Sequence, residues 1–159
     1  MKTHQYTTVI NWTGNLGLGT SNYKVYSRNH TITSGDKPVI DSSSDPAFLG
    51  DRTRYNPEEL LLASLSSCHM LWYLHLCAEA GVVVTNYTDA AQGVMEETAN
   101  GGGRFTSATL NPVVTVQDSS MADKANQLHQ KANELCFIAN SVAFKVHHKA
   151  TCLVAESED

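Results

Sequence analysis

Apolar residues crowd one stretch of the chain above all others. In NPEELLLASLSSCHMLWYLHLCAEAG, residues 56–81, Leu60, Leu61, Leu62, Ala63, Leu65, Met70, Leu71, Trp72, Leu74, Leu76 and Ala78 fall on nearly every side of a helix. That is the pattern of a central core helix buried on most faces. Asn56 is a favourable N-cap, Pro57 suits the first helical position, Glu58 and Glu59 lie at the positive end of the dipole, and Gly81 supplies the stop. Ser66, Ser67, Cys68 and His69 together interrupt the apolar surface.

The remaining pattern is mostly that of strands. Residues 6–12 alternate, with Tyr6, Thr8, Ile10 and Trp12 on one side, and the glycines at 14, 17 and 19 predict a hairpin whose return strand is Tyr23–Ser27. Short strands are expected at 30–33 and 37–40, followed by a turn-rich segment, 41–55, anchored by Phe48 and Leu49. After Gly81, Val82–Val84 and 87–97 lead through Asn100-Gly101-Gly102-Gly103 into a return strand, 104–116, in which Pro112 marks an edge or a bulge. Met121, Ala125, Leu128, Ala132 and Leu135 form the stripe of an amphipathic helix begun by Ser119 or Ser120. A short helix over 137–143, an alternating strand over 144–154 and a solvated tail over 156–159 complete an α+β plan.

Composition narrows the function classes. At 159 residues and 42% hydrophobic, the chain suits one domain with a substantial core. A net charge of −5 with singly scattered Lys and Arg gives no basic footprint, which argues against nucleic acid and anionic membrane as partners. The N-terminal MKTHQYTTVINW has no apolar signal core, and Ser, His and Glu break the long helix where a membrane span avoids them, so a cytoplasmic protein is expected. Four cysteines are too few for a disulfide scaffold and are expected as free thiols in a reducing compartment.

The cysteines are the candidate chemistry. Cys68 lies among serines beside His69, a polar setting for what is otherwise a small buried hydrophobe. Cys77 is about 900° further around the helix and ~13.5 Å along it, so it cannot pair with Cys68. Cys152 lies on the apolar side of the last strand and reads as structural. Cys136 sits where the amphipathic pattern stops, and a helix starting after it favours a thiolate there; a pair with Cys68 stays open. His69, His75, Cys77, His147, His148 and Cys152 offer soft ligands without any CxxC or HExxH spacing, His147 and His148 point to opposite strand faces, and no metal or other cofactor is expected. His69 and His75 read as helix histidines satisfied locally. Gly17-Leu18-Gly19 reads as a plain turn, and no GxSxG elbow surrounds the serines.

With two isolated cysteines on two helices, the motif set resembles the OsmC/Ohr family, the osmotically inducible and organic hydroperoxide resistance proteins. NPEELLLASLSSCH, residues 56–69, looks like the family's segment leading to its first reactive cysteine, and ANELCFIANSV, residues 132–142, like that around the second. The resemblance implies one OsmC-like domain over 1–159, with antiparallel sheets around a long central helix in an intertwined homodimer. It implies a peroxidase that reduces organic hydroperoxides, with Cys68 peroxidatic, Cys136 resolving by a disulfide, and Glu58 matching an active-site glutamate. An external dithiol of lipoyl type would reset the pair. Arg28, Arg52 and Arg54 are candidates for the family's arginine, and Arg54, two residues before Asn56, is the choice. Phe137 stands where the family often has proline.

Glu58 and Cys68 are about 15 Å apart along one helix and ~80° apart around it. A second subunit bringing Glu58 to the partner's Cys68 resolves this separation. Met70, Trp72 and Phe137 around the sulfurs predict an apolar pocket suited to alkyl or lipid peroxides. The competing readings are a redox-inert module of the same fold holding an apolar ligand, and a metal-dependent hydrolase.

Overall fold

Asn56 starts the long helix α1 (Pro57–Glu79) as its side chain predicts, in a computed structural model that describes residues 2–156. Its Oδ1 accepts the Glu59 N–H at 2.8 Å while Glu59 Oε2 accepts the Asn56 N–H at 3.2 Å, a reciprocal capping box. At the other end Gly81 takes φ +71° and the Val82 N–H closes on Cys77 O at 2.9 Å, so the last carbonyls find donors in a left-handed turn. The fully buried residues of α1 are Leu65, His69, Tyr73 and Cys77, a single stripe at intervals of four, whereas Ala63, Ser67, Leu71 and His75 on the opposite side are exposed. Burial on most faces, expected from the sequence, is therefore not achieved within one chain. By length and hydropathy α1 could also cross a membrane, yet its buried stripe packs on sheets, as a core helix does.

Packing divides the chain into two compact units, Met1–Leu61 and Leu62–Asp159, with the boundary inside α1. The first unit holds β1 (Val9–Trp12), β2 (His30–Thr33) and β3 (Ile40–Ser42), an antiparallel sheet in that order with Ile10 opposite Ile32 and Ile32 opposite Ile40. Tyr23–Ser27, expected as the return strand, is a run of turns instead. Arg28 folds back there with its guanidinium about 4 Å above both the Tyr23 and Tyr26 rings, at 4.3 and 4.1 Å, and donates to the carbonyls of both residues. A cation stacked on two rings satisfies backbone groups that a ladder would otherwise pair. Asn15 Oδ1 accepts from the Gly17 and Gly19 N–H groups, so the glycine pair is the expected turn. Gly14 has a different duty: a Cβ there would lie 1.8 Å from Ser27 O, so only glycine permits the approach. The third strand begins at Ile40, not at Lys37, and Leu49 is exposed at φ +63°, so it anchors nothing.

In the second unit, three segments that read as single long strands or hairpin arms each break once. The first gives β4 (Val84–Asp89) and β5 (Gln92–Glu97), the second β6 (Gly103–Leu110) and β7 (Pro112–Val116), the third β8 (Lys145–His148) and β9 (Thr151–Val154). One member of each pair enters the sheet β4-β7-β9 and the other the sheet β5-β6-β8. The sheets are mixed, which corrects the expected antiparallel arrangement: β4/β7 and β5/β6 are antiparallel, β7/β9 and β6/β8 parallel. The physical cause is α2 (Ala122–Leu135), which carries the chain back after β7 so that β8 and β9 enter in the same direction as β6 and β7.

Pro112 forces the middle break, since it cannot donate to a ladder, and Asp89 fastens it. One Asp89 oxygen accepts the Asn111 N–H at 2.7 Å and the other the Ser66 hydroxyl at 2.5 Å, while Asn111 Nδ2 reaches Ala90 O at 2.9 Å. Leu65 of α1 packs with Ala108, Leu110 and Val146 on one side of the breaks; Tyr73 and Cys77 pack with Val82, Val114, Val116, Ala125 and Ala132 on the other.

A short 3-10 turn, Ser119–Met121, precedes α2 and is capped by Asp118, whose Oδ1 accepts the Ser120 N–H at 2.8 Å; neither expected serine is the cap. Only a 3-10 turn, Ala139–Ser141, forms within 137–143. Of the expected tail, residues 157–159 lie outside the described residues. Replacing Asp89 by Ala removes a charged acceptor from two donors, and urea unfolding is expected to show a loss on the order of 2 kcal/mol.

Candidate active site

Cys68 sits midway along α1, half-buried, one residue before the buried stripe. Cys136 follows the last residue of α2, fully buried, where the backbone leaves helical geometry at ψ 113°. The turn after it is held by Asn140, whose N–H reaches Cys136 O at 3.0 Å and whose Nδ2 reaches Glu134 O at 2.9 Å. The same turn aims the Ala139 N–H at Cys136 Sγ, 3.3 Å away. The fold thus brings Cys68 and Cys136, the two cysteines left open by the sequence, close enough together for the Cys68 sulfur to act on the Cys136 thiol.

Electrostatics distinguishes the two sulfurs. Burial pushes the Cys136 thiol up to about 11; the neighbouring Cys68 sulfur adds to this, and the Ala139 N–H only partly opposes it. The short helix after Cys136 was expected to favour a thiolate, but desolvation wins. Cys136 therefore keeps its proton, and Cys68 is the more exposed sulfur of the two. The other two cysteines are inert by the same reasoning. Cys77 is buried beside Tyr73 and Cys152 packs on the same core, with both thiols pushed up by burial.

Around this pair the apolar side chains are arranged openly. Trp72 and Phe137 meet edge to face at 5.6 Å, and Leu71, Trp72 and His75 line a shallow open groove. Phe137 is 68% exposed and Leu71 63%. His75 is satisfied locally as expected, 3.5 Å from Glu79 one turn on.

The charged candidates all belong to the first unit. Glu58 is half-buried, and its Oε2 is fully enclosed with no hydrogen-bond partner among the described residues. Arg54 is held by Asp41 at 3.0 Å and Asp51 at 3.6 Å. Arg52 is exposed. Arg28, on its two tyrosines, has no carboxylate within salt-bridge distance among the described residues.

Three histidines form a cluster that the sequence reading did not assemble. His69 is not satisfied within its helix: its Nε2 lies 3.0 Å from Nδ1 of His129 on α2, and its own Nδ1 is enclosed with no hydrogen-bond partner among the described residues. The two rings are parallel to within 3°, the Tyr73 ring stacks on His129 at 3.9 Å, and His148 of β8 lies 5.7 and 6.2 Å from the pair. His147, on the other strand face, is exposed as expected. His129 was missed because the stripe was followed through Leu128; the spacing Ala125, His129, Ala132, Cys136 marks the same face and is the set that is fully buried. Among the described residues no group of His, Cys, Asp and Glu converges as metal ligands do.

Comparison with known proteins comes from both sequence and fold. A family model described as OsmC-like protein matches residues 50–151. An OsmC-like protein from Vibrio cholerae is 31% identical, with 94% of this chain and 100% of that chain covered and a TM-score of 0.83. Organic hydroperoxide resistance proteins from Legionella pneumophila (20% identity, 96% and 100% coverage, TM-score 0.67) and Elizabethkingia anophelis (21%, 98% and 100%, 0.66) share the fold. No curated protein matches the sequence.

Burial holds His69 down to about 4, with His148 adding repulsion, and His129 down to about 3, with His69 and His148 adding repulsion. An unfolded histidine titrates near 6.5. The folded pKa values lie below it, so the stability due to keeping these rings neutral is complete above about pH 6.5 and is lost as the pH falls toward 4. Urea unfolding is expected to show a decline on the order of 3 kcal/mol for each ring over that window, and His129→Phe should roughly halve it.

Proposed function

Because the chain belongs to the OsmC-like family, we propose that it is a thiol-dependent peroxidase that reduces organic hydroperoxides. The observation that carries this reading is the nearness of Cys68 and Cys136, in which a half-buried sulfur lies beside an enclosed thiol that burial keeps protonated. The Cys68 thiolate attacks the distal peroxide oxygen, the O–O bond breaks, and the alcohol leaves with a proton, giving Cys68 sulfenic acid. Cys136 sulfur then attacks Cys68 sulfur, its proton leaves with the hydroxyl as water, and a disulfide remains. A dithiol of lipoyl type restores both thiols. The open apolar groove at Leu71 and Trp72 favours alkyl or lipid peroxides over a small hydrophilic one.

The active unit is a homodimer in which the two compact units of a chain act as one folded domain. Val9, Ile10 and Trp12 of β1 and Leu71 of α1 are exposed apolar residues, and a sheet of strands only three or four residues long is marginal without cover. A second copy supplies that cover. It also supplies what the lone oxygen of Glu58 lacks: Glu58 and an arginine approach the partner's Cys68, lower its pKa and orient the peroxide. Sequence proximity points to Arg54, but its charge is already compensated by Asp41 and Asp51. Arg28, which meets no carboxylate among the described residues, is the better source of the cation. A cytoplasmic, reducing location suits free thiols of this kind.

Cumene hydroperoxide, one equivalent per chain, is expected to remove two titratable thiols, and none in Cys68→Ser. In Cys136→Ser the first oxidation persists without a disulfide. Arg28→Gln should slow thiol loss by about 10²-fold, and Arg54→Gln much less; the reverse order would restore Arg54 to the role. No thiol loss in the native protein would leave a redox-inert module of the same fold. Sedimentation velocity at micromolar concentration should give twice the mass of one chain, and a monomer would remove the shared site.

A further inference from the structure

The His69–His129 contact lies between the two helices that carry the sulfurs. His69 is the residue after Cys68, and His129 is seven residues, two helical turns, before Cys136 on the same buried face of α2. Two further rings pack on the contact, Tyr73 of α1 on His129 and His148 of β8 on both histidines. The rings enclose the bond completely, with His69 0% and His129 2% exposed. A buried neutral imidazole pair at 3.0 Å needs one N–H and one lone pair, so it has a defined length and direction that apolar packing lacks. Ala125 and Ala132, which flank His129 on its face, are buried too but carry no side-chain polar atom to set such a length.

We propose that the His69–His129 hydrogen bond is a positioning clamp that sets the axial register of α1 against α2, and through it the approach of Cys136 to Cys68. Neither histidine touches the reacting atoms. Their effect is on the second step: with the clamp closed, Cys68–SOH meets Cys136–SH at once and yields the disulfide and water. With it broken, the sulfenate lives long enough to take an oxygen atom from a second hydroperoxide, giving a sulfinate and an alcohol. This second consequence rests on the peroxidase reading, whereas the clamp itself does not.

The decisive test therefore uses a readout that needs no peroxide. The full chain is equilibrated in glutathione redox buffers, and the fraction with a Cys68–Cys136 disulfide gives the effective concentration of the pair. His129→Phe keeps a ring on Tyr73 but has no nitrogen to bond; it is expected to lower the effective concentration about tenfold, roughly the worth of one neutral hydrogen bond. His129→Asn, which places an amide near the Nδ1 position, is expected to recover most of it. A merely structural role would lower the melting temperature of both variants and leave the effective concentration of the folded protein unchanged; that result would overturn the clamp. If His129→Phe does not fold, His69→Phe against His69→Gln makes the same comparison from the other side and is judged by the same criterion. In the peroxide arm, excess cumene hydroperoxide should raise the sulfinic product, 32 Da above the reduced chain, in His129→Phe and not in His129→Asn. A native protein that ignores hydroperoxide while the glutathione result holds would refute the peroxidase and keep the clamp.

Discussion

The structure depends on desolvation applied unevenly to two sulfurs. Cys136 is sealed at the end of α2, and burial makes its thiol reluctant to ionise. Cys68 is one residue off the buried stripe of α1 and remains within reach of solvent. The two sulfurs are therefore unequal: one is enclosed and held protonated, the other is accessible. This ordering follows from where α1 and α2 put their faces, and no residue specialised for catalysis is needed to produce it.

The placement of those faces is itself the result of three interrupted β segments. Each break sends one strand to either sheet, and α1 lies across both, with Leu65 over one set and Tyr73 and Cys77 over the other. Asp89 ties the middle break to Ser66, two residues before Cys68. The sheet architecture and the reactive cysteine thus share one carboxylate as a common support, and the polar interruption Ser66 to His69 in an apolar helix gains a physical reason: each of Ser66, Cys68 and His69 has a polar partner elsewhere in the second unit.

Much of this was legible in the residues. The limits of α1 followed from Asn56, Pro57 and Gly81 because capping is local chemistry, and α2 followed from its stripe. The two motifs singled out Cys68 and Cys136. The strand breaks were not legible, apart from the warning of Pro112, since 87–97 carries no turn signal at Ala90–Ala91, the alternation of 144–154 runs on through Lys149–Ala150, and only sheet pairing decides where a strand changes partners. Tyr23–Ser27 has strand composition, and Arg28 stacking on its rings overrode it. His129 escaped because an apolar stripe is traced by apolar residues, and a histidine buried by partners sixty residues away leaves no local mark. The breadth of apolar surface on α1 suggested a helix enclosed on most sides; one chain encloses a single stripe.

The mixed sheets have a kinetic side. In each, the third strand is contributed by residues 145–154, which join partners more than thirty positions earlier. Such non-local pairing makes folding slow relative to a helical bundle of similar size, because a long loop must close before any contact rewards it. Until that closure β6 and β7 each present an unpaired edge, the kind of surface that recruits other chains. The window between synthesis of the middle of the chain and docking of its last two strands is therefore when this protein is most vulnerable to aggregation.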